Sequence, residues 1–208
     1  MIEFALALSL FVVLALAILL ARKGGILVDR DILKAMEAGD IKIEPYDRKA
    51  LGTNSYDVHL APVMKVYKRT DEKGEAKCLD VRQKTETEDV TIPEEGFVLM
   101  PGVLYLASTV EYTETHKHIP ILNGKSSLGR LGLSIHVTAG TGDVGFCNHW
   151  TMEFFVIEPL RIYPNIPIGQ LLYFHPSSKP LVPYGKKNNA KYIVREAAPQ
   201  ASLMHKNF

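Results

Sequence analysis

The sequence predicts an all-β domain, preceded by one short helix and, ahead of that, an apolar segment built to cross a membrane. Three observations carry this. Beyond residue 40 the chain breaks into short runs rich in β-branched and aromatic residues: IKIEPY, SYDVHLAPVMKVY, DVTI, GFVLM, VLYLASTVEY, LSIHVTA, WTMEFFVI, LRIY and IGQLLYF. Pro, Gly and Asn separate them at the spacing of a sandwich or barrel. A helical period survives only in VDRDILKAMEAGD, where Ile32, Leu33 and Met36 share a face, Asp29 or Asp31 can cap the start and Gly39 stops it. The third observation is the run FALALSLFVVLALAILLA from Phe4 to Ala21, closed by Arg22 and Lys23.

That run is apolar all round, unlike the striped helix of a soluble domain. Eighteen helical residues rise about 27 Å, against a hydrocarbon core of about 30 Å. Glu3 at its start and the positive charges behind it are the reverse of a cleaved signal peptide. The expectation is a single transmembrane helix, an uncleaved anchor in the inner membrane with the rest of the chain facing the cytoplasm. Residues 1–25 are therefore read as anchor and Gly24-Gly25 hinge, 26–183 as the β domain and 184–208 as a C-terminal flap. The stretch from Thr70 to Glu95 is highly charged and reads as a solvated hairpin or excursion. The basic tail from Tyr184 reads as either a loose end or a segment that orders over an anion.

Of the 208 residues, about 185 remain beyond the apolar run, which suits one core. Net charge is +1, from 24 basic and 23 acidic residues, so no global field points to a nucleic-acid polymer. An anionic ligand must be gripped by a local cluster. Cys78 and Cys147 lie far apart and form no CxxC pair, which favours free thiols in a reducing compartment.

The densest cluster of functional residue types is NGKSSLGRLGLSIHVTAGTGDVGFCNHWTMEFF, from Asn123 to Phe155. Gly124 to Arg130 combines small residues, two hydroxyls and two cations, a set suited to phosphate or a polar heterocycle. Taken alone it is a polar turn, and it lacks the glycine spacing of a P-loop. Taken together, GKSSLGRLGLSIHVTAGTGDVGF and the WTME that follows resemble the signature of dCTP deaminases, within the trimeric dUTPase superfamily. Ile43-Glu44-Pro45-Tyr46, Ser55-Tyr56-Asp57-Val58, Ile168-Gly169-Gln170-Leu171, Pro183-Tyr184 and Ala190-Lys191-Tyr192 extend the resemblance in order along the chain. The anchor is not part of the family pattern.

The resemblance implies a dUTPase-like β-clip or distorted barrel, assembled as a homotrimer with sites at subunit interfaces. It implies hydrolytic deamination of dCTP to dUTP and ammonia, a step in pyrimidine deoxynucleotide metabolism. Glu153 matches the carboxylate that activates water, and Arg130 and Ser126 match the residues that hold that water and the pyrimidine edge. Lys125, Ser127, Leu128, Gly129 and Arg130 belong to the loop that also contacts phosphates. Asp143 matches the carboxylate beside the deoxyribose, and Thr151 and Met152 match backbone contacts to the base. Gln170, Tyr184 and Lys191 match sugar and triphosphate contacts. Magnesium is expected on the substrate triphosphate, with no ligand set from the protein and no zinc, and dTTP is a further candidate ligand as an inhibitor. Two departures stand out. Arg195 replaces a Gln of the flap that contacts the triphosphate, and Thr141-Gly142-Asp143-Val144-Gly145 replaces the commoner Ile-Asp-Pro-Gly form.

The chemistry agrees with the residues. One carboxylate can take the proton of an attacking water and return it to the departing ammonia, contributing about 10²–10⁴-fold, with Arg130 stabilising developing charge. By alternation alone, Glu153 is a charge on the outer face of a strand; the resemblance turns that reading towards catalysis. Three rivals remain. A dUTP diphosphatase has no need of a carboxylate at C4, but a bifunctional deaminase and diphosphatase would keep Glu153 and use an aspartate such as Asp143 for the second step. Zinc-dependent deaminases need an H-x-E and P-C-x-x-C set, which Cys147-Asn148-His149, read as loop residues, does not supply. A membrane-tethered sensor would bind nucleotide without turnover.

Overall fold

Side chains alternate between buried and exposed along most of the β-rich runs, and the pairing of those runs follows from which face is apolar. The structure is a computed structural model that describes residues 24–208 apart from Glu72. The anchor expected at Phe4–Ala21 lies outside the described residues. Among those described, no helix is long and apolar enough to cross a membrane.

Helix α1 (Asp29–Glu37) buries Ile32 and Ala35. Neither aspartate caps it. Val28 holds the N-cap position without a side-chain bond, and Asp29 Oδ1 accepts from the Arg30 N–H at 2.8 Å. Gly39, at φ 71°, ends the helix in the left-handed conformation that glycine tolerates.

The strands are β1 (Ile41–Glu44), β2 (Tyr56–Tyr67), β3 (Thr87–Thr91), β4 (Phe97–Leu99), β5 (Tyr105–Thr115), β6 (Ile119–Gly124), β7 (Leu133–Ser134), β8 (Cys147–Val156), β9 (Leu160–Ile162) and β10 (Pro167–Phe174). One sheet runs β6-β10-β2-β5-β8-β7, with β1 on β5 and β3 on β2, and β4 pairs with β9 separately. Every pairing is antiparallel. The two longest strands exchange partners partway. β2 faces β10 from Tyr56 to His59 and β5 from Leu60 to Val66. The β5·β8 register shifts between Ser108 and Tyr112. Such breaks bend strands and let one sheet curl around a core in the manner of a distorted barrel. The core holds Tyr56, Val58, Met64, Leu122, Trp150, Met152, Phe154 and Leu171.

Three local readings change. β6 was not marked by its sequence because Pro120 interrupts it; the strand lies at a sheet edge, where a missing N–H is tolerated. LSIHVTA is a strand only at Leu133–Ser134, and the rest is irregular. Cys147, Asn148 and His149 are not loop residues: they begin β8, opposite Glu114, Thr113 and Tyr112.

Candidate active site

β8 has two faces. Asn148, Trp150, Met152, Phe154 and Val156 are buried, while Cys147, His149, Thr151 and Glu153 are half-buried on the other side. That outer face is one wall of a cavity of about 480 Å³ that Asp143, Tyr184 and Tyr192 also line. The alternation that makes Glu153 look like a surface charge is therefore what aims it into a pocket.

The irregular chain after β7 crosses this wall. The Glu153 N–H donates to the Ile135 carbonyl at 2.9 Å, which brings the next residue, His136, alongside. His136 Nδ1 lies 3.2 Å from Glu153 Oε2; with the proton on Nδ1, the imidazole donates to the carboxylate. In the same cavity as Asp143 an aromatic wall forms, with Phe146 4.9 Å from Trp150 and 6.0 Å from Tyr184 between ring centroids. The indole N–H of Trp150 donates to Thr113 Oγ1 at 3.0 Å, so the ring is fixed.

The tail roofs the cavity. Its root docks where Gly145 turns at φ 92°: a Cβ there would meet Pro183 Cβ at 2.8 Å. The Tyr184 N–H donates to the Val144 carbonyl at 2.8 Å. Farther on, fully buried Asn148 fastens the tail at three points. Its amide donates to the carbonyls of Tyr192 (3.2 Å) and Val194 (2.8 Å). Its Oδ1 accepts from the Glu196 N–H at 3.1 Å. Ser108 Oγ donates to the Ala197 carbonyl at 2.7 Å, and the Gln200 N–H donates to Thr151 Oγ1 at 3.0 Å. Lys187 Nζ stands 3.6 Å from Asp143 Oδ2, an exposed and weak pair.

A second cavity, about 510 Å³, is lined by Lys125, Ser126, Gly129, Ser134 and His136. Its floor includes the single helical turn α2 (Ser126–Gly129). Lys125 bonds Asp57 of β2 through its ammonium. Gln170, on β10 opposite Asp57, accepts from Ser55 Oγ at 3.5 Å.

Within one chain, then, Glu153, Asp143, Thr151 and Tyr184 share one cavity, and Lys125, Ser126 and Gly129 share the other. Ser127, Leu128, Arg130, Met152, Gln170, Lys191 and Arg195 line neither. Arg130 and Ser127 are exposed, and Leu128 packs on the core. The Met152 side chain is fully buried in the core, so only its backbone could meet a ligand. Lys191 is half-buried on the tail, and the Arg195 guanidinium stacks on Tyr112 at 3.9 Å. His136, Asn148 and Lys187 were not singled out from the sequence. Their partners are distant in sequence or depend on how the tail folds back.

The sequence matches the dCTP deaminase-like family over residues 26–175. It is 44% identical over 183 residues to a Clostridium botulinum (strain Alaska E43 / Type E3) protein named dCTP deaminase, dUMP-forming, covering 88% of this chain and 98% of that one. A Cytophaga hutchinsonii protein of the same name is 42% identical over 176 residues, covering 85% and 95%. The fold resembles the crystal structure of 2'-deoxycytidine 5'-triphosphate deaminase from Agrobacterium tumefaciens, with TM-score 0.57 and 20% identity. That match covers 74% of this chain and 49% of the other, about half its length, and is a likeness of fold. With the family match spanning all ten strands, the chain belongs to the dCTP deaminase-like family.

Proposed function

We propose that this protein deaminates dCTP hydrolytically and carries the product on to dUMP. The observation that carries the first step is Glu153, held in the cavity wall between the Ile135 carbonyl and the His136 imidazole. A water beside Glu153 loses its proton to the carboxylate as its oxygen attacks C4 of cytosine. The carboxyl then returns the proton to the departing amine, which leaves as ammonia. Asp143 and the aromatic wall of Phe146, Trp150 and Tyr184 seat the deoxyribose.

The second step rests on the relatives. At 42–44% identity they are named as dUMP-forming, whereas the sequence on its own favoured dUTP as the end product and kept the bifunctional enzyme as the alternative. The relatives' names favour the bifunctional reading. In the second step a water attacks the triphosphate and releases pyrophosphate, with Asp143 as the base.

The division of residues between two cavities supports a homotrimer with shared sites. Ser126 and Arg130 are needed beside Glu153 but do not line its cavity in one chain. Leu131, Val137 and Ile157 are 56%, 57% and 71% exposed, apolar side chains that a second copy would cover. Lys125, Ser127, Arg130 and Lys191 are donors that suit phosphate oxygens, so magnesium enters on the substrate triphosphate. The family match begins at residue 26, and the apolar run Phe4–Ala21 ahead of it supports reading that segment as an inner-membrane anchor with the enzyme on its cytoplasmic side.

The test is to incubate the protein with dCTP and magnesium and to follow ammonia, pyrophosphate and nucleotide products together. Equimolar ammonia and pyrophosphate with dUMP is the expected result. Ammonia without pyrophosphate would remove the second step, and binding without either product would leave a sensor.

A further inference from the structure

We propose that Glu114, His116 and Cys147 form a binding site for one borderline-soft divalent cation, zinc being the best fit, at the end of β8 remote from Glu153. Antiparallel pairing sets Glu114 directly opposite Cys147. His116 follows two residues later, in the bend just after β5, and its ring turns back onto Glu114. One donor atom from each lies within 4.8 Å of the other two, and His116 Nε2 is 2.9 Å from Glu114 Oε2.

Zinc binds nitrogen and oxygen at about 2.0–2.2 Å and thiolate sulfur at about 2.3 Å, so tetrahedral ligands sit roughly 3.3–3.8 Å apart. The donor atoms, within 4.8 Å of one another, have about an ångström to close to reach that spacing. A thiolate, an imidazole and a carboxylate together suit zinc; magnesium and calcium prefer oxygen alone. His116 is exposed, which leaves the fourth position to water. Lys42 approaches Glu114 Oε1 at 3.8 Å but is closer to Glu44, at 3.0 Å. It keeps that partner when a cation takes Glu114.

The cation is structural and takes no part in deamination, because six residues of β8, about 20 Å, separate Cys147 from Glu153. It ties β5 to β8 beneath the tail. Tyr112 lies two residues before Glu114 on the same strand, and the Tyr112 ring carries Arg195 of the tail. No short motif marks the site, since β6, α2 and β7 lie between His116 and Cys147 in sequence.

The test uses the full chain in detergent with Cys78→Ser, which removes the exposed second thiol, and Co²⁺ as an optical probe. The expected result is one cobalt per chain with a near-ultraviolet thiolate-to-cobalt charge-transfer band that Zn²⁺ displaces. Adding Cys147→Ser should abolish the band, and adding His116→Gln should weaken cobalt binding by at least about tenfold. Zn²⁺ should raise Tm in the Cys78→Ser protein and leave it unchanged once Cys147 is also replaced. Absence of the band with Cys147 intact, or its survival in Cys147→Ser, overturns the proposal. Should Cys147→Ser fail to fold, His116→Gln at its exposed position decides alone, and unchanged cobalt affinity there overturns the proposal equally.

Discussion

The cavity that holds Glu153 and the cavity that holds Ser126 meet at His136, which lines the second and bonds the carboxylate of the first. They are built differently. Around Glu153, the wall is a paired strand, the side is a fixed aromatic cluster and the roof is a tail fastened by Asn148, Ser108 and Thr151. Around Ser126, one helical turn and an irregular loop present hydroxyls and backbone amides, with Arg130 and Leu131 reaching into solvent. A reacting carboxylate must be held to within a fraction of an ångström, and the first cavity supplies that from one chain. The second region is open and exposes Leu131 and Val137.

The largest effect separates the cavities by chemistry. Glu153→Gln keeps the shape and hydrogen-bonding capacity of the side chain but cannot take the water's proton. Deamination should fall by at least about 10²-fold with dCTP binding largely retained. Steady-state turnover and calorimetric binding check this, and near-normal turnover would remove Glu153 as the base.

The next effect tests whether the second region works in trans. Glu153→Gln and Arg130→Ala should each be nearly inactive as pure assemblies. Unfolded together and reassembled in equal amounts, they should regain about a quarter of wild-type activity. When a site takes Glu153 from one chain and Arg130 from its neighbour, random mixing leaves about one site in four with both intact. No recovery would place both residues in a site belonging to one chain.

How much of this was legible in the sequence depended on range. Strands announced themselves where alternation was unbroken, as in β8, where Trp150, Met152 and Phe154 are buried and Thr151 and Glu153 are not. β6 was hidden by Pro120, because a sequence does not reveal which strand will lie at an edge. The site residues were recognised through a resemblance, since Glu153 by pattern alone is an ordinary outward charge. His136 could not be seen as its neighbour: the contact needs the chain to leave the β-ladder after Ser134, and LSIHVTA reads as a continuing strand. Asn148 was hidden for the same reason, its three bonds being to a tail more than 40 residues onward.

Asn148 gives the intermediate effect, on the roof of the first cavity. Asn148→Ala removes three tail bonds at a fully buried position. Two tail carbonyls and one N–H lose their partner, at a cost of about 1–3 kcal/mol. The expected outcome is a KM for dCTP raised by about tenfold with a smaller change in kcat, together with faster proteolytic clipping after Lys187 or Lys191. Unchanged clipping would mean that Ser108, Thr151 and the Gly145 turn hold the tail without it.

The smallest effect falls on Arg195, where the chain departs from the glutamine that the family resemblance leads one to expect. Its guanidinium lies 3.9 Å from the Tyr112 ring and within 4.0 Å of Glu44, so it is parked on β1 and β5 outside both cavities. To grip a triphosphate it must leave that stack, which is worth about 0.5–1 kcal/mol at an exposed site. Arg195→Gln removes the competing rest position and leaves a side chain able to donate to phosphate. KM for dCTP should therefore fall by roughly two- to fivefold, while kcat stays the same, because C4 of the base is remote from the phosphates. A rise in KM would show the opposite balance: the cation already leaves Tyr112 when nucleotide binds, and its charge on the phosphates outweighs the stack. A change confined to kcat would tie Arg195 to the ordering of the tail over Glu153, and the roof and the wall of the first cavity would then be one coupled unit.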